Sequence, residues 1–82
     1  MKLEIITPEK VIYSGEASLV QLPGVDGSFE ILKDHAPLIA ALSAGNIKYK
    51  SPTQTVSLKI SGGFAESLNN SVNVMVEGVT EN

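Results

Sequence analysis

The sequence predicts an all-β fold of roughly eight to ten short antiparallel strands, packed as a sandwich or a barrel. Apolar and polar residues alternate with a period of two along most of the chain, as in half-buried strands. Glycine, proline, asparagine and serine interrupt this alternation every few positions, and no segment has the apolar repeat of an amphipathic helix. Because 82 residues are too few to divide further, we expect one domain over residues 1–82 with a small core.

The candidate strands follow one another in chain order, and an alternating apolar set marks each one. Breaks fall at residues 7–8, 14–15 and 23–24, where proline or glycine stops the pattern. The apolar sets, in order, are Leu3 and Ile5, residues 10–13, Val20 and Leu22, Phe29 and Ile31, Ile47 and Tyr49, Val56, Leu58 and Ile60, and Val72, Val74 and Val76.

Two segments in the second half carry turn chemistry. Residues 68–71 read Leu-Asn-Asn-Ser, a sequence that lets the chain reverse with positive φ. Gly62-Gly63 resembles a phosphate-binding loop only superficially, because no Gly-Lys-Ser/Thr and no helix follow it. We interpret the glycine pair as a tight turn or a bulge where two backbones approach closely.

The apolar run at residues 36–43, Ala-Pro-Leu-Ile-Ala-Ala-Leu-Ser, permits two interpretations. It is either a single turn of helix or a buried strand. Its short length and its flanking loops favour the buried strand. The run is also far shorter than the roughly 20 residues that a membrane-spanning helix needs.

Composition excludes several functions. The chain carries a net charge of −3, with six lysines and no arginine, which argues against a nucleic-acid-binding role. The N-terminus lacks the features of a signal peptide, and the longest apolar stretch is too short to cross a bilayer, so we expect no membrane insertion. Cysteine is absent and histidine occurs once, so a thiolate or histidine-rich metal site is not predicted.

Histidine is a common general acid or base in catalysis, and His35, the one histidine of the sequence, follows Asp34. Adjacent residues in a strand point to opposite faces, so Asp34 is badly placed to orient the imidazole. No Gly-x-Ser-x-Gly motif presents a nucleophile. We therefore predict no catalytic residue, and we assign His35 a structural or interface role.

Other charged residues are candidates for binding or attachment sites. Asp26, Glu30 and Asp34 could supply oxygen ligands to a cation, but the intervening strand argues for a solvated acidic rim. Lys33 stands in the context Leu-Lys-Asp, which matches poorly the Met-Lys-Met or Asp-Lys-Ala context of biotin- and lipoyl-carrying domains. We predict no metal, no cofactor and no small-molecule ligand.

Four segments, in order along the chain, resemble the N-terminal domain of the epsilon subunit of F-type ATP synthase, called delta in mitochondria. They are LEIITPEKVIYSGEAS, LPGVDGSFEILKDHAPLIAALSAGNI, KISGGFAE and NNSVNVMVEG. The resemblance implies an antiparallel β-sandwich of two roughly five-stranded sheets.

The resemblance also implies a non-catalytic central-stalk role. In that family the domain binds the gamma subunit through an outer apolar face, rests on the c-ring, and rotates with both. The matching c-ring contact is the loop of Asp26, Gly27 and Ser28, with Glu30 and His35 on flanking elements. The subunit would lie peripherally at the cytoplasmic face of the inner membrane. The alternative is a stand-alone β-sandwich that serves as an interaction or carrier module.

Many bacterial members of this family continue into a two-helix C-terminal domain that can brake ATP hydrolysis and, in some members, binds ATP. If 82 residues is the natural length, we expect neither inhibition of the latch type nor ATP binding by this subunit. To check this, the purified chain is added to a stalk complex that lacks this subunit, and the rate of ATP hydrolysis is measured. Strong, ATP-sensitive inhibition would contradict the prediction.

Overall fold

The structure, a computed structural model, describes residues 1–81 and contains ten strands and no helix in that part of the chain. A strand lies at each predicted apolar set and within the run at residues 36–43, whereas the strands at residues 62–68 and 80–81 were not predicted. The strands are β1 Lys2–Ile6, β2 Val11–Glu16, β3 Leu19–Gly24, β4 Gly27–Leu32, β5 Leu38–Leu42, β6 Gly45–Lys50, β7 Thr55–Ile60, β8 Gly62–Leu68, β9 Ser71–Glu77 and β10 Thr80–Glu81.

The strands form two layers of five. The first sheet has the order β4-β3-β6-β7-β10 and the second the order β5-β8-β9-β1-β2. A short pairing between Gly24 of β3 and Leu42 of β5 joins the layers into one curled sheet. This arrangement confirms the predicted all-β sandwich with five strands on each side.

One strand pair departs from the antiparallel pattern. β1 pairs with β9 in parallel, from Lys2 opposite Ser71 to Ile6 opposite Met75. The other strand pairs in the described residues are antiparallel. The N-terminal strand therefore lies between β2 and β9 and ties the beginning of the chain to its last long hairpin.

The interior between the two sheets is filled by the predicted alternating residues. Because successive side chains of a strand point to opposite faces, each strand contributes one apolar row to the interior. Tyr13 and Tyr49 also pack there with ring centroids 4.6 Å apart. The largest fully buried side chains are Leu3, Ile5, Val20, Leu22, Ile31, Ile47, Leu58, Ile60, Val72 and Val74.

The run at residues 36–43 forms a strand, β5, as predicted, but the expectation that it is buried is wrong. Leu42 points inward, whereas the side chain of Ile39 is 79% exposed. β5 follows the same alternation as its neighbours, so one of its faces must point outward even though both carry apolar residues. The continuous apolar run therefore serves both the core and the outer surface.

The two predicted turn segments behave differently. Asn69 and Asn70 have φ values of 51° and 60° and form the two-residue turn between β8 and β9, as in a type I′ hairpin. Gly63 lies inside β8 rather than in a turn, with φ of 150°. A Cβ there would overlap the Met75 carbonyl of β9, so the predicted close backbone approach is confirmed.

A reciprocal pair of hydrogen bonds connects the β4–β5 loop to the β8–β9 turn. The backbone N–H of Asp34 donates to Oδ1 of Asn70 over 2.6 Å, and Nδ2 of Asn70 donates to Oδ1 of Asp34 over 2.9 Å. Both residues have positive φ, which Asp and Asn adopt more readily than most other residues with a side chain. The carboxylate of Asp34 thus holds two loops together.

A double-mutant cycle measures this Asp34–Asn70 pair. Glycine suits the positive φ of both positions, so Asp34→Gly and Asn70→Gly remove the side chains without backbone strain. We expect the double variant to lose about 0.5–1 kcal/mol less unfolding free energy than the sum of the singles. Either single already removes the bond between the two side chains, whereas glycine at position 34 keeps the backbone N–H that donates to Asn70. Urea denaturation gives the three values.

The matched control uses Asn69, the other residue of the same turn, which also has positive φ. Asp34→Gly combined with Asn69→Gly should be additive. Additivity in the Asn70 cycle would show that the pair contributes nothing to stability.

Candidate interaction surfaces

The β3–β4 hairpin ends in a short, exposed tip. Val25 and Asp26 form its two-residue turn, and Gly24 pairs with Gly27 below it. Gly27 has φ of 126°, a conformation that favours glycine and lets the chain enter β4 directly after the turn. The Val25 side chain is 59% exposed. We call residues 25–28 the hairpin tip.

Backbone hydrogen bonds brace the hairpin tip against the neighbouring strand. The N–H of Val25 donates to the carbonyl of Ala41 in β5 over 3.0 Å. The N–H of Ser43 donates to the carbonyl of Pro23 over 2.7 Å, and its hydroxyl donates to the same oxygen over 3.2 Å. The tip is therefore fixed to the second sheet as well as to the first.

The residues that the sequence proposed as contacts lie in three places. Asp26, Gly27 and Ser28 are together and exposed at the hairpin tip. Glu30 lies on the outer face of the first sheet, where it accepts a hydrogen bond from Nε2 of Gln21 over 2.8 Å. His35 follows the far end of β4, and the six residues of that strand span roughly 17 Å at about 3.3 Å per residue.

His35 lies on the surface in the β4–β5 loop. Its backbone N–H donates to the carbonyl of Leu32 over 3.2 Å, and its Nδ1 is 2.7 Å from the carbonyl of Ala36. Asp34 binds Asn70 instead of the imidazole. The described residues therefore assemble no Ser-His-Asp array around this histidine.

The three carboxylates considered as cation ligands are spread along β4. Asp26 is at the hairpin tip, Glu30 in mid-strand and Asp34 in the following loop. Within residues 1–81, no group of three or more histidine, cysteine, aspartate or glutamate side chains is placed to hold a metal ion. The same residues include no helix long and apolar enough to span a bilayer.

The outer face of the second sheet is unusually apolar. Strand register aligns Ala41, Phe64, Met75 and Ile6 in one row across β5, β8, β9 and β1. Five of the seven large apolar side chains that are exposed in residues 1–81 belong to this sheet. We call these five the apolar face: Val11, Ile39, Phe64, Leu68 and Met75.

The apolar face also contains two depressions. One, of about 660 Å³, lies between Ile39 of β5 and Leu68 of β8, with Glu66 in its wall. The other, of about 300 Å³, is bordered by Phe64 and Met75. Exposed apolar patches with such concave regions are typical of protein–protein contact sites.

The outer face of the first sheet is polar by contrast. Lys48 and Lys50 of β6 and Lys59 of β7 are exposed there, beside the hydrogen-bonded Gln21 and Glu30. The single large apolar side chain exposed on this face in the described residues is Leu32. The two outer faces of the sandwich therefore differ in chemistry.

The apolar face has a signal in the sequence, although the sequence alone does not predict this face. Met75 occupies an outward position in the alternation of β9, and Phe64 precedes the buried Ala65 of β8. A large apolar side chain at an outward position marks a contact surface when its cross-strand neighbours are also apolar. Those neighbours become known only when the strand order is known.

Comparisons with known proteins agree with this fold. The family model for the ATP synthase delta/epsilon chain β-sandwich domain matches residues 1–82. The ATP synthase epsilon chain of Chlorobium limicola is 44% identical over 80 residues, covering 96% of this chain and 91% of that relative. The epsilon chain of Syntrophomonas wolfei is 41% identical over 76 residues, covering 92% of this chain but only 56% of the relative.

Two solved structures share the architecture. A chain of the Euglena gracilis mitochondrial ATP synthase superposes with a TM-score of 0.88 at 18% identity, over 96% of this chain and 51% of that one. A chain of the Tetrahymena thermophila mitochondrial ATP synthase central stalk and c-ring superposes with a TM-score of 0.83 at 16% identity, over 98% of this chain and 65% of that one. With the family match and the 44% identity, the chain belongs to the delta/epsilon chain family of ATP synthase.

Proposed function

We propose that this chain is a central-stalk subunit of a proton-translocating ATP synthase that links the gamma subunit to the c-ring and transmits rotation. It contributes no catalytic residue and acts at the cytoplasmic face of the inner membrane as a peripheral subunit. The observation that carries the proposal is the rigid connection between two distinct surfaces. The hairpin tip is hydrogen-bonded through Val25 to Ala41, which lies in the apolar row of the second sheet.

The apolar face is our candidate for the gamma contact. Burial of apolar area contributes about 25 cal/mol per Å², so exposed Ile39 and Leu68 favour association with a partner. A standard interface takes roughly 800 Å² from each partner, about one sixth of the 4786 Å² surface of the chain. One outer face of a two-layer sandwich offers an area of that order.

The hairpin tip is our candidate for the c-ring contact. It projects an apolar Val25 beside the exposed carboxylate of Asp26, a combination suited to polar loops that also offer apolar contact. Its braces to β5 keep it from bending independently of the second sheet. Glu30 and His35 are weaker candidates because they lie away from the tip.

Torque transmission requires stiffness rather than chemistry. A force applied at the hairpin tip passes through the Val25–Ala41 hydrogen bond into β5, and from there across the sheet ladder to β8 and β9. Protein interiors are close-packed and deform little, so a fully packed interior keeps the two surfaces in fixed relation.

A stand-alone interaction or carrier module is the competing function. Lys33 is exposed in the turn after β4, so a carrier lysine would be accessible there. A mass measurement of the protein purified from its source would favour this alternative if it found a prosthetic group on Lys33.

Substitutions on the apolar face test the gamma contact. Ile39→Thr and Phe64→Thr keep strand-compatible side chains but remove apolar area, so each should weaken binding to a gamma-containing stalk complex about 10-fold. The matched control is Leu32→Thr, which removes an exposed apolar side chain from the outer face of the first sheet. Isothermal titration calorimetry measures the affinities, and equal losses in all three variants would contradict the assignment.

Charge reversal at the hairpin tip tests the c-ring contact. Asp26→Lys should reduce ATP-driven proton pumping in reconstituted complexes several-fold while leaving the affinity for the gamma-containing stalk complex unchanged, because the tip lies apart from the apolar face. Gln54→Lys, in the exposed turn between β6 and β7 at the opposite end, is the control. Unchanged pumping with Asp26→Lys would exclude the tip as a functional contact.

A further inference from the structure

A carboxylate lies in the middle of the apolar face. Glu66 of β8 is exposed, with Ile39 beside it on β5 and Asn73 beside it on β9. Phe64 lies two positions before Glu66 and Leu68 two positions after it, on the same strand and the same side of the sheet. Any partner that covers these apolar side chains must therefore also cover Glu66.

A second carboxylate lies in the same row. Register carries the row from Glu66 through Asn73 to Glu4 of β1, which is half-buried. Two strand spacings of about 4.8 Å separate their backbone positions by roughly 10 Å. The acidic groups thus form a short line across the strands, between apolar residues.

These carboxylates lack a cationic partner within the described chain. The ion pair found in residues 1–81 joins the N-terminal amine of Met1 to Glu16, and neither Glu66 nor Glu4 takes part in one. Lys2 lies two residues before Glu4 on the same side of β1, whereas the cross-strand neighbours of Glu66 are Ile39 and Asn73. Removing a carboxylate from water without a partner is strongly unfavourable, so a partner that covers Glu66 has to supply a cation.

We infer that the partner of the apolar face presents a lysine or arginine to Glu66, set among apolar side chains that contact Phe64 and Leu68. The inference rests on the proposed function, in which this partner is the gamma subunit. It adds the chemistry by which that contact is oriented.

A second copy of this chain is a poor occupant of the face. In a two-fold contact the same patch is used by both copies, so Glu66 and Glu4 of both copies would enter one interface. The chain also carries a net charge of −3, which adds long-range repulsion between copies. A basic, apolar partner satisfies both the charge and the apolar area.

The test compares Glu66→Gln with wild type in titrations against a gamma-containing stalk complex that lacks this subunit. Glutamine keeps the shape and removes the charge. We expect affinity to fall about 10-fold or more. Raising the ionic strength from about 0.1 M to about 1 M, which shortens the Debye length from about 10 Å to about 3 Å, should weaken the wild type more than the variant.

Glu9→Gln is the matched control, since Glu9 is an exposed glutamate in the loop between β1 and β2, outside the row of Glu66 and Glu4, and its substitution changes the net charge equally. It should leave both the affinity and its salt dependence unchanged. Circular dichroism melting curves confirm that each variant remains folded, as expected for exposed positions.

The outcomes separate the two proposals. If Glu66→Gln binds with the affinity and salt dependence of the wild type, the role of Glu66 is overturned but the proposed gamma contact is not. Failure of the wild-type chain to bind the complex at all would overturn the proposed function itself. A wild-type dimer in sedimentation that dissociates in the Ile39→Thr variant would assign the apolar face to self-association and overturn the inference.

Discussion

Each strand of a two-layer sheet has two faces, and only one of them can line the interior. In this chain the inward faces are filled by large apolar side chains that are almost fully buried, such as Ile5, Leu22 and Val74. Packing of that kind provides most of the stability of a small domain. The outward side chains are therefore not needed to pack the interior, and their composition indicates what these faces contact.

The two outward faces have opposite character. Three lysines are exposed on the first sheet, whereas the second exposes five large apolar side chains around Glu66. A face that remained in water would gain nothing from Ile39 or Phe64 at the surface. The hairpin tip belongs to the first sheet, but its backbone is hydrogen-bonded to β5 of the second sheet, the strand that carries Ile39.

Much of the fold could be predicted from alternation, because inward and outward positions repeat along a strand whatever its neighbours are. The Asn69-Asn70 turn was likewise predictable from residue type. The exposure of Ile39 was not predictable, since an unbroken apolar run gives no indication of which side faces water. The link between Asp34 and Asn70 joins residues far apart in sequence, and alternation carries no information about such pairs.

The candidate site was predictable only where it is local. Asp26, Gly27 and Ser28 are neighbours in the chain, so they remain neighbours in space. Glu30 and His35 were grouped with them by sequence proximity, but an extended strand carries residues away from one another quickly. The apolar face required the order of β5, β8, β9 and β1, which depends on long-range pairing.

The parallel pairing of β1 with β9 has a consequence for biogenesis. β1 leaves the ribosome well before β9, the strand with which it pairs in parallel. Until then its hairpin with β2 has an open edge, and unpaired edges are sites of mispairing and aggregation. Completion of the second sheet is therefore a late, non-local event, which slows folding relative to folds built from local contacts. The nascent chain has the greatest need of chaperone protection during that interval.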